Sequence, residues 1–123
     1  MSLIEDAPGH LRHFQVCALS AAEMGAALEH ARHARHAAVT IVGHSFELAN
    51  RAGTRPNAVH VRRFEALCQM LAEHSPAMTT SHFADLPELR LGQEDAPLRS
   101  NALRTGLRRA EQLWSNWIEE RAA

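Results

Sequence analysis

The run Ala38-Val39-Thr40-Ile41-Val42 constrains the fold of this chain more than any other stretch. It is short, rich in β-branched residues and free of polar alternation. That is how a strand buried on both faces reads, and such strands belong to parallel sheets. A helix signal stands just before it. Ser20-Ala21-Ala22-Glu23 has the spacing of a capping box, in which the hydroxyl and the carboxylate each satisfy an orphan backbone donor. The spacing predicts a helix from about Ala21 to Arg35. Met24, Ala27, Leu28 and Ala31 form its apolar stripe, and Glu29, His30, Arg32 and His33 fall largely off it.

Gly43 ends the strand, and a polar loop from Ser45 to Asn57 holds Asn50, Gly53 and Pro56. A second helix is predicted over Ala58 to Glu73, with Val61, Phe64, Leu67, Cys68 and Leu71 on one side and Arg62, Arg63, Glu65 and Gln69 mostly on another. Pro76 stops it, and Met78 to Phe83 is a second strand candidate. The order helix, strand, helix, strand predicts an α/β fold. Asp85 to Pro97, broken by Pro87, Gly92 and Pro97, reads as a surface linker. A last amphipathic helix begins near Ser100. Its stripe of Leu103, Leu107, Ala110, Trp114, Trp117 and Ile118 is expected to anchor it to the body, since two Trp within one turn present a large area that wants cover.

Composition narrows the function classes. With 123 residues, 46% of them hydrophobic, and no apolar run near the ~18 residues of a membrane span, the chain reads as one soluble domain or part of one. Arginine supplies all 13 basic residues against 14 acidic ones, for a net charge of −1, which argues against a protein that coats nucleic acid. Cys17 and Cys68 lack a CxxC spacing and read as reduced core residues. Residues 1–10 carry no basic stretch leading into an apolar one, so no secretory signal is read there and the cytoplasm is the expected compartment.

The sharpest site candidate is His44, because loops at the C-terminal ends of parallel strands line active sites in α/β folds, and a histidine there is suited to acid or base work near neutral pH. His30, His33 and His36 spread over about 120° of a helix, so all three cannot converge on one ion, and with Arg32 and Arg35 they read as a solvated face. Arg99, Arg104, Arg108 and Arg109 suit an anionic ligand, but they read first as the wet side of the last helix.

Three stretches together carry a resemblance. They are Thr40-Ile41-Val42-Gly43-His44-Ser45-Phe46-Glu47-Leu48, Arg63-Phe64-Glu65-Ala66-Leu67-Cys68, and Met78-Thr79-Thr80-Ser81-His82-Phe83-Ala84-Asp85-Leu86. In this order they resemble the closing segment of the polysaccharide deacetylase family, where a late strand ends in an apolar residue, a spacer and a His, and a helix leads on to the final strand. His13 through Met24 and Pro97 through Thr105 look like one branch of the family, so the resemblance covers about residues 10–120. It implies the C-terminal helix-strand-helix-strand part of a (β/α) barrel-like domain over residues 10–86, a linker over 87–99 and a C-terminal amphipathic helix over 100–121.

The resemblance also implies a chemistry: metal-dependent removal of N-acetyl groups from carbohydrate, with a zinc-like divalent ion polarising the carbonyl, an Asp as base and a His protonating the leaving amine. His44 matches that acid, and Val42 matches the residue, usually Leu, that lines the pocket for the acetyl methyl. The family often has Asp after this His, where this chain has Ser45. It binds its metal through an Asp and a His-x-x-x-His pair, and this sequence contains neither that pair nor an Asp-Asp motif. The chain is therefore expected to lack the metal ligands and to be inactive alone. The rival readings are a non-catalytic module that pairs with another copy or another chain through open strand edges and apolar helix faces, and a small anion or metal binder built on the His-rich helix or the Arg cluster.

Overall fold

A computed structural model of the chain describes residues 2–85 and 96–121. It is a mixed α/β arrangement of a four-stranded mixed sheet and three helices. The first two strands, β1 (Ser2–Ala7) and β2 (His10–Gln15), form an antiparallel hairpin. Pro8 and Gly9 connect them. Gly9 sits at φ +76°, a left-handed conformation that glycine takes without penalty.

Helix α1 (Ala21–His33) follows, with the capping box formed as its spacing predicts: Ser20 accepts from the Glu23 amide, and the Glu23 carboxylate accepts from the Ser20 amide. The chain then returns to β3 (Ile41–Val42), which pairs in parallel with the end of β2 through Phe14↔Ile41 and Gln15↔Val42. The parallel pairing agrees with the sequence reading, but the burial does not. β3 keeps two residues at the sheet edge, with Ile41 packed on the core and Val42 facing out, so it is covered on one face only.

Helix α2 (Ala58–Glu73) is capped by Asn57, which accepts from the amides of Val59 and His60. Its inner edge is not the predicted one. Arg63 and Leu67 are buried, with Met70 packed against the core, whereas Phe64 and Cys68 are exposed. A cation lies inside because it has partners there: Arg63 donates to the Cys17 carbonyl at 2.8 Å and to the Glu111 carboxylate at 2.7 Å.

The predicted strand Met78–Phe83 does not form. Its residues are irregular up to a 3₁₀ turn at Phe83–Asp85. Part of the predicted linker lies outside the described residues, and its end is a strand, β4 (Leu98–Arg99), parallel to β1 through Ile4↔Leu98 and Glu5↔Arg99. The sheet order β3-β2-β1-β4 therefore joins the start of the chain to residue 98, and these four strands form an open sheet with two edges. The core, sealed by Ile4, Phe14, Val16, Leu19, Met24, Leu28 and Leu67, lies between this sheet and α1. Each large side chain buried there contributes roughly 1.5–3 kcal/mol.

Helix α3 (Ala102–Arg121) has the predicted amphipathic stripe, but the opposite face meets the body. Arg108 reaches Glu23 at 3.3 Å and Asp6 at 3.9 Å, Glu111 takes Arg63, and the buried Ser115 accepts from the Asn57 amide at 3.2 Å. Arg108 is thus an inward cation and not part of a wet face. The apolar stripe looks outward, with Leu103, Leu107, Leu113, Trp114 and Trp117 all exposed. Charge balance accounts for the reversal. The carboxylates of Asp6 and Glu23, set by β1 and α1, stand beside Arg12 and take Arg108 of α3, while Glu111 of α3 pairs with Arg63 of α2. Burying unmatched charge there would cost several kcal/mol per ion, more than covering a few leucines returns.

Candidate site at the end of the third strand

His44 stands two residues beyond β3, in the extended conformation that opens the 3₁₀ turn Ser45–Leu48. The turn repeats the i, i+3 logic of a capping box, and it brings Glu47 back onto His44. The Glu47 carboxylate lies 3.1 Å from His44 Nδ1 and accepts from the His44 amide at 3.3 Å. With a carboxylate on Nδ1, the ring carries its proton there and turns Nε2 away, the geometry of a histidine oriented for acid or base work. The ring stacks on Phe46, with centroids 5.2 Å apart, and remains more than half exposed.

Glu47 is the hub that the sequence reading passed over. Gln15, at the end of β2, donates to its carboxylate at 2.7 Å, and the Cys17 thiol is a further donor. His60 of α2 holds its backbone carbonyl at 2.7 Å. Burial raises the Glu47 carboxyl, but the hydrogen bonds from His44, Cys17 and Gln15 outweigh that and hold it below the ordinary value of 4.5. Burial, the hydrogen bond to Glu47 and that carboxylate's charge push the Cys17 thiol up to about 11. Cys17 is therefore a proton-holding thiol and not a nucleophile. The one signal in the sequence for this arrangement is the three-residue step from His44 to Glu47.

Val42, read as a pocket residue, is exposed at the sheet edge. Two shallow surface depressions, one near Asn57 and Ser115 and one near Leu71 and Met78, include neither Val42 nor His44. The two residues stand near one strand end, and neither lines those depressions. Among the described residues, no group of three or more His, Cys, Asp or Glu is placed to hold a metal ion. The zinc-like ion implied by the resemblance therefore has no fitting ligand set there.

Of the other candidates, His30 and His36 come together, whereas His33 and the late arginines are held by separate partners. His30 Nε2 bonds the Ala96 carbonyl, His33 Nδ1 bonds the Glu29 carbonyl, and His36 packs edge-on against His30. The late arginines separate: Arg99 lies by Glu5 and Arg108 by Glu23. Cys17 and Cys68 are both free thiols. Among the described residues no helix is long and apolar enough to cross a membrane. Compared with family models, curated proteins and solved structures, the chain matches none.

Proposed function

We propose that this chain is the C-terminal part of a polysaccharide deacetylase-like hydrolase acting on N-acetylated carbohydrate, and that it is inactive by itself. His44 is its catalytic contribution, protonating the amine as it leaves the acetyl group. One observation carries the reading. His44 follows a strand that runs parallel to its neighbour in a β2–α1–β3 unit, and the Glu47 carboxylate on Nδ1 turns Nε2 outward to meet a substrate. Val42, two residues earlier and exposed, would touch the acetyl methyl. The barrel itself and the metal belong to this proposal through the resemblance of the three stretches, and no step is assigned to the metal because its ligands are not found among the described residues.

The test is a nuclear magnetic resonance titration of the chain with an N-acetylglucosamine oligomer, beside the same titration of deacetylated oligomer. The His44 ring and Val42 methyl signals should shift with the acetylated sugar and not with the deacetylated one. Unmoved His44 and Val42 signals at saturating sugar would overturn the reading, as would hydrolysis by the chain with added zinc that persists in His44→Ala.

A further inference from the structure

The outer face of α3 carries large apolar side chains that are exposed. At 100° per residue, Leu103, Gly106, Leu107, Ala110, Leu113, Trp114, Trp117 and Ile118 occupy about 140° of arc, uncharged until Arg121 at the end of the helix falls within it. The ionic face that holds α3 to the body lies on the far side of the helix. Leu103 is 77% exposed, Leu113 71% and Trp114 59%. Together the large side chains of the arc leave on the order of 700 Å² of apolar surface open, above the roughly 300–600 Å² of the largest patch on a typical monomer.

The spacing within the arc identifies what fits it. Leu103, Leu107, Ala110, Trp114 and Trp117 follow one another at steps of four, three, four and three, the seam of one helix packing along another. Trp114 and Trp117 lie against each other, with centroids 5.3 Å apart, as one raised block. Ala110 and Gly106 form the low ground beside it, and nothing stands within 4 Å of where a side chain on Gly106 would begin. High and low ground on one surface are what a self-complementary contact needs. The open area also approaches the about 800 Å² per partner that a standard stable interface buries.

We propose that α3 is the dimer interface of this chain, its outer face packing on the same face of a second copy about a two-fold axis. The pairing covers the tryptophans and leaves the ion pairs of each copy intact. It is independent of the role proposed for His44.

Sedimentation equilibrium of the chain and of Leu107→Glu and Ala110→Glu tests it. The unaltered chain is expected to be dimeric at micromolar concentration, and each variant to weaken the dimer by about 100-fold or more. Helical circular dichroism should be unchanged, because both positions face away from the body. A monomeric parent chain at about 100 µM overturns the proposal, since a contact of this area would then be weaker than any stable interface of its class. A dimer that survives both substitutions overturns it equally, by placing the contact elsewhere.

Discussion

Arg63 of α2 and Glu111 of α3 form an ion pair at 2.7 Å whose two ends sit in unlike surroundings, the guanidinium 3% exposed and the carboxylate 46%. The two residues are therefore unequal in worth. Arg63→Ala strips the Cys17 carbonyl of its donor and leaves a gap between α1, α2 and α3, and is expected to cost about 2–3 kcal/mol. Glu111→Gln keeps a hydrogen-bonding group at a half-open position and should cost about 1 kcal/mol or less. Urea denaturation of the two variants measures both, and equal costs would contradict this account.

The capping box gives a second expectation. Ser20 and Glu23 are both 2% exposed, so neither amide they serve can turn to water instead. Ser20→Ala should lower stability by about 1–2 kcal/mol, a fall in Tm of roughly 4–8 °C for a domain of this size. Thermal unfolding followed at 222 nm reads it. Ser20→Asp, which restores an acceptor but brings charge beside Glu23, should recover only part of the loss.

Acid should weaken the fold through two carboxylates. Burial raises Asp6, but His10, Arg12 and Arg108 outweigh it and hold its carboxyl below 3.8, as Glu47 is held below 4.5. A folded value below the unfolded one means that the stabilisation is complete above the unfolded value and is lost as pH falls through the folded one. Glu47→Gln should therefore be less stable than the parent near neutrality, and the difference should shrink as the pH drops from about 5 to about 3. A difference constant with pH would remove the ionic role assigned to Glu47.

The two thiols should separate chemically. Cys68 is exposed, whereas Cys17 is held protonated up to about 11. Iodoacetamide at neutral pH is expected to label Cys68 alone, with Cys17 labelled only in denaturant. Peptide mass spectrometry distinguishes the sites, and equal labelling of the folded chain would show that the Cys17 environment is open.

What could be read in advance was local. Ser20 with Glu23, the stripe from Met24 to Ala31, the stop at Pro76 and the amphipathic character of α3 each depend on a few neighbouring residues, and each has its counterpart in the fold. The hairpin went unread: Pro8-Gly9 between Ser2–Ala7 and His10–Gln15 is a turn signal, but sparse apolar alternation hid its strands. Burial of Arg63 and Arg108 was not legible, because periodicity sorts residues by side-chain type and assumes that charge faces water. Here each cation found its carboxylate on a segment 48 or 85 residues away. β4 was hidden for a similar reason: two residues become a strand only because β1 lies beside them. At the site, His44 was visible from its place after a strand, whereas the part of Glu47 depends on Gln15, Cys17 and His60, brought from elements distant in the chain.

The ionic attachment of α3 makes the helix answer to its solvent in two opposing ways. Dissolved salt shields the pairs that Arg108 and Glu111 make with the body, loosening the inner side of the helix. Strongly hydrated salts such as sulfate also favour apolar contact, tightening whatever meets Leu103, Leu107 and Trp114 on the outer side. Ionic conditions thus act as a dial on the allegiance of one helix, from its own body at low salt toward a neighbouring surface at high salt.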